Sequence, residues 1–187
     1  MRIFLDLDDT LIHSVYNHKN NKNRTYIQFK DDGRYGSVER PIAKDLIQFA
    51  RSIDPDVSIL TTATMDWAMA WSNVFQFGFD ENHIYDRHAF TTWRTSIYGG
   101  TDIIWNEKSL NLKHAVIVDN NHLINLHDAS PIHKMNFLFG EDFDDENWIH
   151  MRAFDGNVSA DALKADERAL DLTQKKILER VEKSLTN

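Results

Sequence analysis

The sequence of 187 residues predicts an α/β protein with a doubly wound parallel sheet. Three short apolar runs, at 3–5, 57–60 and 115–118, each stop abruptly at polar residues. Such runs, without polar alternation, are typical of strands that helices cover on both faces, as in a parallel sheet. A stretch with helical apolar spacing separates the first run from the second. This alternation of strand and helix favours the doubly wound arrangement.

The first strand is followed at once by the acidic residues Asp6 and Asp8. Open α/β sheets bind their ligands at the carboxyl ends of the strands. Two carboxylates at such an edge suit a hard, oxygen-seeking cation such as Mg²⁺, and one of them could also act as a nucleophile. The sequence therefore predicts a metal-binding or catalytic site at this strand end.

A small β-hairpin flap is predicted after this strand end, within about residues 15–40. Residues 25–29 alternate with a period of two, residues 31–33 carry a turn signal, and residues 34–38 can return as the second arm. The basic segment 18–24 is interpreted as a solvated loop, with a phosphate-steering or substrate-docking loop as the alternative.

Two helices are predicted after the flap. Pro41 suits the first turn of one helix, which carries an apolar face and is broken at residues 54–56. The second is predicted over 65–77. The residues on the apolar stripes are Leu46, Ile47 and Ala50 in the first helix, and Trp67, Ala68, Trp71 and Phe75 in the second. We interpret the aromatic stripe as core and not as a ligand-stacking surface.

Residues 1–187 are predicted to form a single domain with a helical tail at about 159–187. Ser159 can cap this helix. The stripe is expected to dock on the body of the protein, with a dimer seam as the alternative. Its members are Leu163, Leu170, Ile177, Val181 and Leu185.

The segment 79–107 gives no clear pattern, and its strand-like pieces lie at 84–85, 89–93 and 103–105 around Gly99-Gly100. A further strand is predicted at 135–139. The acidic run 141–146 is interpreted as a solvated loop or helix start rather than a second metal site.

Composition excludes several classes of function. The absence of cysteine rules out disulfides, thiol nucleophiles and thiolate metal sites. No signal peptide and no membrane-spanning run stand out, so we expect a soluble, cytoplasmic protein. The formal charge of -8 argues against a surface that grips nucleic acid by its phosphates. The oligomeric state is not predicted.

The motif at 6–11, Asp-Leu-Asp-Asp-Thr-Leu behind an apolar strand, resembles that of the haloacid dehalogenase superfamily of aspartate-based phosphatases. Within that superfamily, the chain is most similar to the phosphatases that act on the C-terminal tail of RNA polymerase II and to their small relatives. The resemblance covers roughly residues 1 to 140 and lies in four segments in the family's order: 6–14, Arg40-Pro41, 60–64 and 116–120.

The resemblance implies a role for each of four residues. Asp6 would be the nucleophile that forms an aspartyl-phosphate, and Asp8 would protonate the leaving oxygen and then activate water. Thr62 would donate to the phosphoryl group, and Lys108 would offset its charge. The family lysine usually lies further upstream of the last motif, so Lys113 is a rival to Lys108.

The resemblance also implies a Mg²⁺ site. Asp6, the backbone carbonyl of Asp8, Asn120 and Asp119 would hold the ion, with Asp119 bound directly or through water. Asn121 and His122 follow in this chain where the tail phosphatases often have serine and proline. This departure weakens the transfer of substrate preference but not of the chemistry.

We therefore predict a Mg²⁺-dependent phosphomonoesterase. The expected substrate is a phosphoserine or phosphothreonine in a protein segment, and a nucleotide or the end of a nucleic acid is the alternative. A phosphatase-like fold that only binds a partner is the alternative from another class. The presence of both Asp6 and Asp8 counts against it.

Overall fold

The computed structural model describes residues 1–16, 23–29, 33–86, 115–120 and 145–186. The strands in these ranges are β1 (Arg2–Leu5), β2 (Ile12–Tyr16), β3 (Thr25–Phe29), β4 (Gly33–Glu39), β5 (Ser58–Leu60), β6 (Ile84–Tyr85), β7 (Ala115–Asp119) and β8 (Trp148–His150). The α-helices are α1 (Ala43–Ile53), α2 (Met65–Phe75) and α3 (Ala160–Thr186). Short 3-10 turns, Glu81–His83 and Asp145–Asn147, precede β6 and β8.

A five-stranded parallel sheet, in the order β6-β5-β1-β7-β8, forms the centre of the protein. Strand β1 lies in the middle, where Leu5 is in register with Ile59 of β5 and with Val118 of β7. The predicted parallel sheet is confirmed. Because β5 and β7 lie on opposite sides of β1, the crevice expected at a topological switch point opens at the carboxyl end of β1.

The helices cover this sheet with the faces that the sequence predicts. Leu46, Ile47 and Ala50 of α1 are buried in the same cluster as β1. Helix α1 begins two residues after Pro41, because Ile42 is its N-cap residue. Helix α2 ends at Phe75, short of the predicted residue 77. Gln76 adopts a left-handed conformation with φ 58° there and ends the helix.

The flap is a three-stranded antiparallel sheet in the order β2-β4-β3. The two predicted hairpin arms are confirmed as β3 and β4. Strand β2 was not predicted, because its polar residues made it look like the start of a loop. A Cβ atom at Gly36 in β4 would lie 2.6 Å from the ring of Tyr26, so a larger residue there would force that ring to move.

Helix α3 docks on the body of the protein, as predicted. Ser159 caps it, because its Oγ accepts from the backbone N–H of Ala162 at 3.4 Å. Ile177 is fully buried, and Leu170 and Val181 pack against the same core. The stripe does not continue to the end of the helix, where Leu185 is 81% exposed.

Other predictions fall partly or wholly outside the described residues. These include the strand at 135–139 and most of the basic segment 18–24 and of the acidic run 141–146. No helix in the described part of the chain is both long enough and apolar enough to cross a membrane.

Candidate active site

The loop of residues 6–12, which we call the acid loop, is fixed tightly to the carboxyl end of β1. The backbone N–H of Asp6 donates to the carbonyl of Val118 at 2.9 Å and so continues the sheet ladder. The carbonyl of Leu7 accepts from the backbone N–H groups of Leu11 and Ile12 at 2.9 and 3.1 Å. Because these bonds close the loop on itself, the side chains at 6 and 8 start from a fixed backbone.

Asp6 lies in a crowded, electronegative position at the base of the crevice. Its side chain is largely buried, and Thr10 Oγ1 donates to its Oδ2 at 2.9 Å. Burial raises the pKa of Asp6 well above its ordinary value, and the nearby charges of Asp119 and Asp8 raise it further. The hydrogen bond from Thr10 opposes these effects. The site therefore gathers more negative charge than the described residues around it compensate.

Asp119 and Asn120 complete this cluster from the end of β7. The backbone N–H of Asn120 donates to Thr10 Oγ1 at 3.0 Å, which joins the ends of β1 and β7. Asp119 is the last residue of β7 and is buried. Asp6, Asp119 and Asn120, three of the predicted metal-holding residues, therefore lie together, and the predicted fourth group, the backbone carbonyl of Asp8, lies beside Asn120.

The oxygen atoms of this cluster fit a bound cation. The side-chain oxygen of Asn120 faces two other acceptors, the carbonyl of Asp8 and Oδ2 of Asp6. Rotation of the amide would place its nitrogen 3.0 and 3.1 Å from them as a donor. A cation bound among these oxygens is a second way in which all three would be satisfied.

The chemistry of the donors agrees with Mg²⁺, which prefers carboxylate and carbonyl oxygens. In the described ranges, no three acidic, histidine or cysteine side chains gather as a metal site. The set is instead two carboxylates, Asp6 and Asp119, with one amide oxygen and one backbone carbonyl. The side chain of Asp8 does not belong to it.

The carboxylate of Asp8 points to the indole of Trp67. The Nε1–H of Trp67 donates to both carboxylate oxygens, at distances of 3.2 and 3.1 Å. Burial raises the pKa of Asp8 to about 6, although the hydrogen bond from Trp67 lowers it. Two carboxylates of one loop thus have different surroundings, a pattern typical of sites where one acid attacks and the other transfers protons.

The prediction that the whole aromatic stripe belongs to the core is confirmed in part. Ala68, Trp71 and Phe75 are buried as predicted, whereas Trp67 packs against the core with its side chain only partly buried. The indole ring stacks on Phe29 with 5.1 Å between the ring centroids. Trp67 lies in the first turn of α2, which begins five residues after the end of β5. That position faces the ligand-binding edge of the sheet and was the signal that could have identified it.

Thr62, which was predicted to contact phosphate, lies exposed after β5 at the carboxyl edge of the sheet. The alternative role considered for it, capping of α2, belongs to Thr64, whose side chain accepts from the backbone N–H of Trp67 at 3.4 Å. Lys108 and its rival Lys113 lie outside the described residues.

Arg40 supports the acid loop through a hydrogen bond to its backbone. This role was not predicted from the sequence. Its guanidinium is fully buried and donates to the carbonyl of Thr10 at 3.1 Å and to Asp166 Oδ1 at 2.8 Å. It also lies 5.7 Å from the ring centroid of Phe154. Through this residue, helix α3 is connected to the loop that carries Asp6.

A family model, described as NLI interacting factor-like phosphatase, matches residues 1–163. The chain belongs to this phosphatase family. Membership confirms the predicted resemblance to the haloacid dehalogenase phosphatases and to the tail phosphatases among them. No curated protein matches the sequence.

Solved structures of similar fold include two of the RNA polymerase II CTD phosphatase Fcp1. One, of fission yeast Fcp1 bound to beryllium fluoride, has 15% identity and a TM-score of 0.48, with 98% of this chain and 54% of that chain covered. The other, of Fcp1 described as essential, has 14% identity and a TM-score of 0.50, with 99% and 53% covered. This chain thus spans about half the length of the two Fcp1 structures. The similarity to the second structure, with a TM-score of 0.50, supports a shared fold.

Proposed function

We propose that this chain is a Mg²⁺-dependent phosphomonoesterase that works through a phosphorylated Asp6. The observation that carries the proposal is the pair Asp6 and Asp8. Both carboxylates lie at the carboxyl end of β1, one against an oxygen cluster and the other against a tryptophan N–H. A double displacement requires one fixed nucleophile and one separate proton carrier, and these two residues supply them.

In the first step, an oxygen of Asp6 attacks phosphorus and the bond to the leaving oxygen breaks, while Asp8 donates a proton to that oxygen. In the second step, Asp8 takes a proton from a water molecule, the water attacks phosphorus, and inorganic phosphate leaves with Asp6 restored. Thr10 holds Asp6 Oδ2 at 2.9 Å, so the nucleophile is oriented before substrate binds.

Asp6, Asp119, Asn120 and the carbonyl of Asp8 would hold the Mg²⁺ ion. When bound, the ion supplies positive charge that offsets the phosphate and favours the ionised form of Asp6. We assign the remaining phosphate contacts to Thr62, at the neighbouring strand end, and to Lys108, with Lys113 as the alternative lysine.

We propose phosphoserine or phosphothreonine in a protein segment as the substrate. The family assignment and the resemblance to tail phosphatases support this class. The formal charge of -8 disfavours an extended nucleic acid, whose binding depends on neutralising phosphates.

The nucleophile is tested by phosphate release from p-nitrophenyl phosphate with Mg²⁺ or with EDTA. Asp6→Asn should abolish the Mg²⁺-dependent activity. The matched control is Asp9→Asn in the same loop. Asp9 has a positive φ of 61°, which asparagine tolerates, and its carboxylate contacts His13 instead of the cluster. Activity that survives in Asp6→Asn would refute the mechanism, and equal loss in Asp9→Asn would show a general defect of the loop.

The role of Asp8 is tested with the same substrate. p-Nitrophenolate needs little help from an acid to leave, whereas the second step still needs a base. Asp8→Asn should therefore release about one p-nitrophenolate per chain and then nearly stop. Steady turnover without a burst would contradict the assignment of Asp8 to the second step.

The substrate class is tested by comparing three phosphomonoesters of equal concentration: a phosphoserine peptide, a nucleoside monophosphate and an oligonucleotide with a 5′ phosphate. We expect the highest kcat/KM with the peptide. A higher value with either nucleotide substrate would refute the proposed class while leaving the mechanism intact.

A further inference from the structure

The contact between Trp67 and Asp8 joins the acid loop to helix α2 across 59 residues of sequence. A single N–H lies within 3.1 to 3.2 Å of both carboxylate oxygens, so it faces the middle of the carboxylate. A donor in this position resists rotation of the carboxylate toward Asp6. It also favours one side-chain conformation among those that an aspartate could otherwise sample.

The indole can fix this direction because other rings hold it. Phe29 of the flap stacks on it at an interplanar angle of 26°, and Tyr35 meets it edge-on, with 4.9 Å between centroids. Trp71 contacts it from within α2, at 5.8 Å and 74°. Aromatic pairs in these geometries contribute about 0.5–1.5 kcal/mol each beyond the area they bury. The ring therefore has little freedom to turn its N–H away from Asp8.

We propose that Trp67 is a positioning residue for the reaction: it holds the carboxylate of Asp8 where it can protonate the leaving oxygen, and Phe29 and Tyr35 of the flap hold Trp67. This inference rests on the proposed role of Asp8 as acid and base. In this proposal, the aromatic residues of the flap fix the orientation of the Asp8 carboxylate through Trp67.

Comparison with Trp71 shows that aromatic packing in α2 does not by itself provide a tryptophan N–H with a hydrogen-bond partner. It lies one turn further along the same helix and is fully buried. Its Nε1 has no hydrogen-bond partner among the described residues. The rings of both tryptophans thus take part in the packing of α2, but among the described residues only the N–H of Trp67 has a hydrogen-bond partner. The pair offers a matched comparison.

The experiment measures kcat/KM of Trp67→Phe and Trp71→Phe with two substrates. A phosphoserine peptide has a poor leaving group that needs the acid, and p-nitrophenyl phosphate has a good one that does not. Because kcat/KM reports the steps up to departure of the leaving group, it isolates the protonation that Asp8 performs. We expect Trp67→Phe to lower kcat/KM about 10- to 100-fold for the peptide, as loss of part of a general-acid contribution, and less than about 3-fold for p-nitrophenyl phosphate.

Trp71→Phe should lower the melting temperature and leave the ratio of the two kcat/KM values unchanged. Equal losses with both substrates in Trp67→Phe would show a merely structural role and overturn the proposal. Unchanged kcat/KM with the peptide would overturn it as well.

Asp8→Asn, measured with the same two substrates, separates this inference from the mechanism on which it rests. If Asp8→Asn is selective for the peptide and Trp67→Phe is not, only the role of Trp67 fails. If Asp8→Asn itself shows no dependence on the leaving group, the proposed function of Asp8 fails and the inference falls with it.

Discussion

Replacing Asp166 with alanine removes the partner of a fully buried charge. The two side chains of the Arg40–Asp166 pair are 0% and 6% exposed and are linked at 2.8 Å. Breaking a buried ion pair from one side costs about 3–5 kcal/mol, because the remaining charge keeps its desolvation penalty. We expect the lower end, about 3 kcal/mol, since Arg40 keeps its contacts to Thr10 and Phe154. The pair is also imperfect: Oδ2 of Asp166 and Nε of Arg40 lack hydrogen-bond partners among the described residues.

The free energy of unfolding is measured in urea, and the melting temperature by calorimetry. For a chain of this size, about 3 kcal/mol corresponds to a fall of about 6–12 °C. The control is Glu179→Ala on the same helix, which removes an exposed ion pair with Lys175 at 3.8 Å and should change neither quantity measurably.

A double variant, Arg40→Met with Asp166→Leu, tests the cause of the loss. Because it removes both charges, it should recover most of the stability lost in Asp166→Ala. A loss below about 1 kcal/mol in the single variant would refute the reasoning from burial. A double variant as unstable as the single one would show that the cost comes from packing and not from an unpaired charge.

Three further predictions concern stability. Ile177→Ala should lower the free energy of unfolding in urea by about 2–5 kcal/mol, because Ile177 is fully buried, whereas Leu185→Ala should have no measurable effect. In EDTA, the free energy of unfolding should fall as the pH rises from about 4 to about 6. Burial raises the pKa of Asp8 to about 6, so the folded state binds more protons than the unfolded state in this window, and Asp8→Asn should flatten the slope. Gly156→Ala should lower the melting temperature, since Gly156 has φ 78° and a Cβ there would lie 2.9 Å from the ring of His13; an unchanged value would refute the strain.

The central sheet could be predicted because its strands carry unmixed apolar runs that end at polar residues. The same reasoning placed Asp6 at a strand end, and the family resemblance added Asp119, which lies 113 positions later at the end of the neighbouring strand. Strand β8 escaped prediction because it is only three residues long and follows an acidic run. Strand β2 was not predicted because its residues are mostly polar or partly exposed, so it has no apolar run that stands out from the neighbouring loops.

The supports of the site were harder to predict than its charged residues. Helical spacing assigns Trp67 and Trp71 to one stripe, but it cannot show that Trp71 is fully buried while Trp67 is only partly buried against the core. The ion pair between Arg40 and Asp166 joins residues 126 positions apart in the sequence. The sequence around each residue has no pattern that predicts burial of its side chain. The sequence of α3 is charged and amphipathic, and an acidic side chain on such a helix normally faces solvent. Such contacts depend on tertiary packing and leave no periodic signal.

The position of Asp166 also bears on where this chain could be divided. The shared family region ends at residue 163, whereas α3 runs from Ala160 to Thr186 and carries the acid that neutralises Arg40. A fragment of this chain cut at residue 163 would lack Asp166 and leave the buried guanidinium of Arg40 without its acidic partner beneath the acid loop. In this chain, the region that matches the family and the region joined by buried charges therefore have different ends, and we expect a stable fragment to include α3 beyond residue 163.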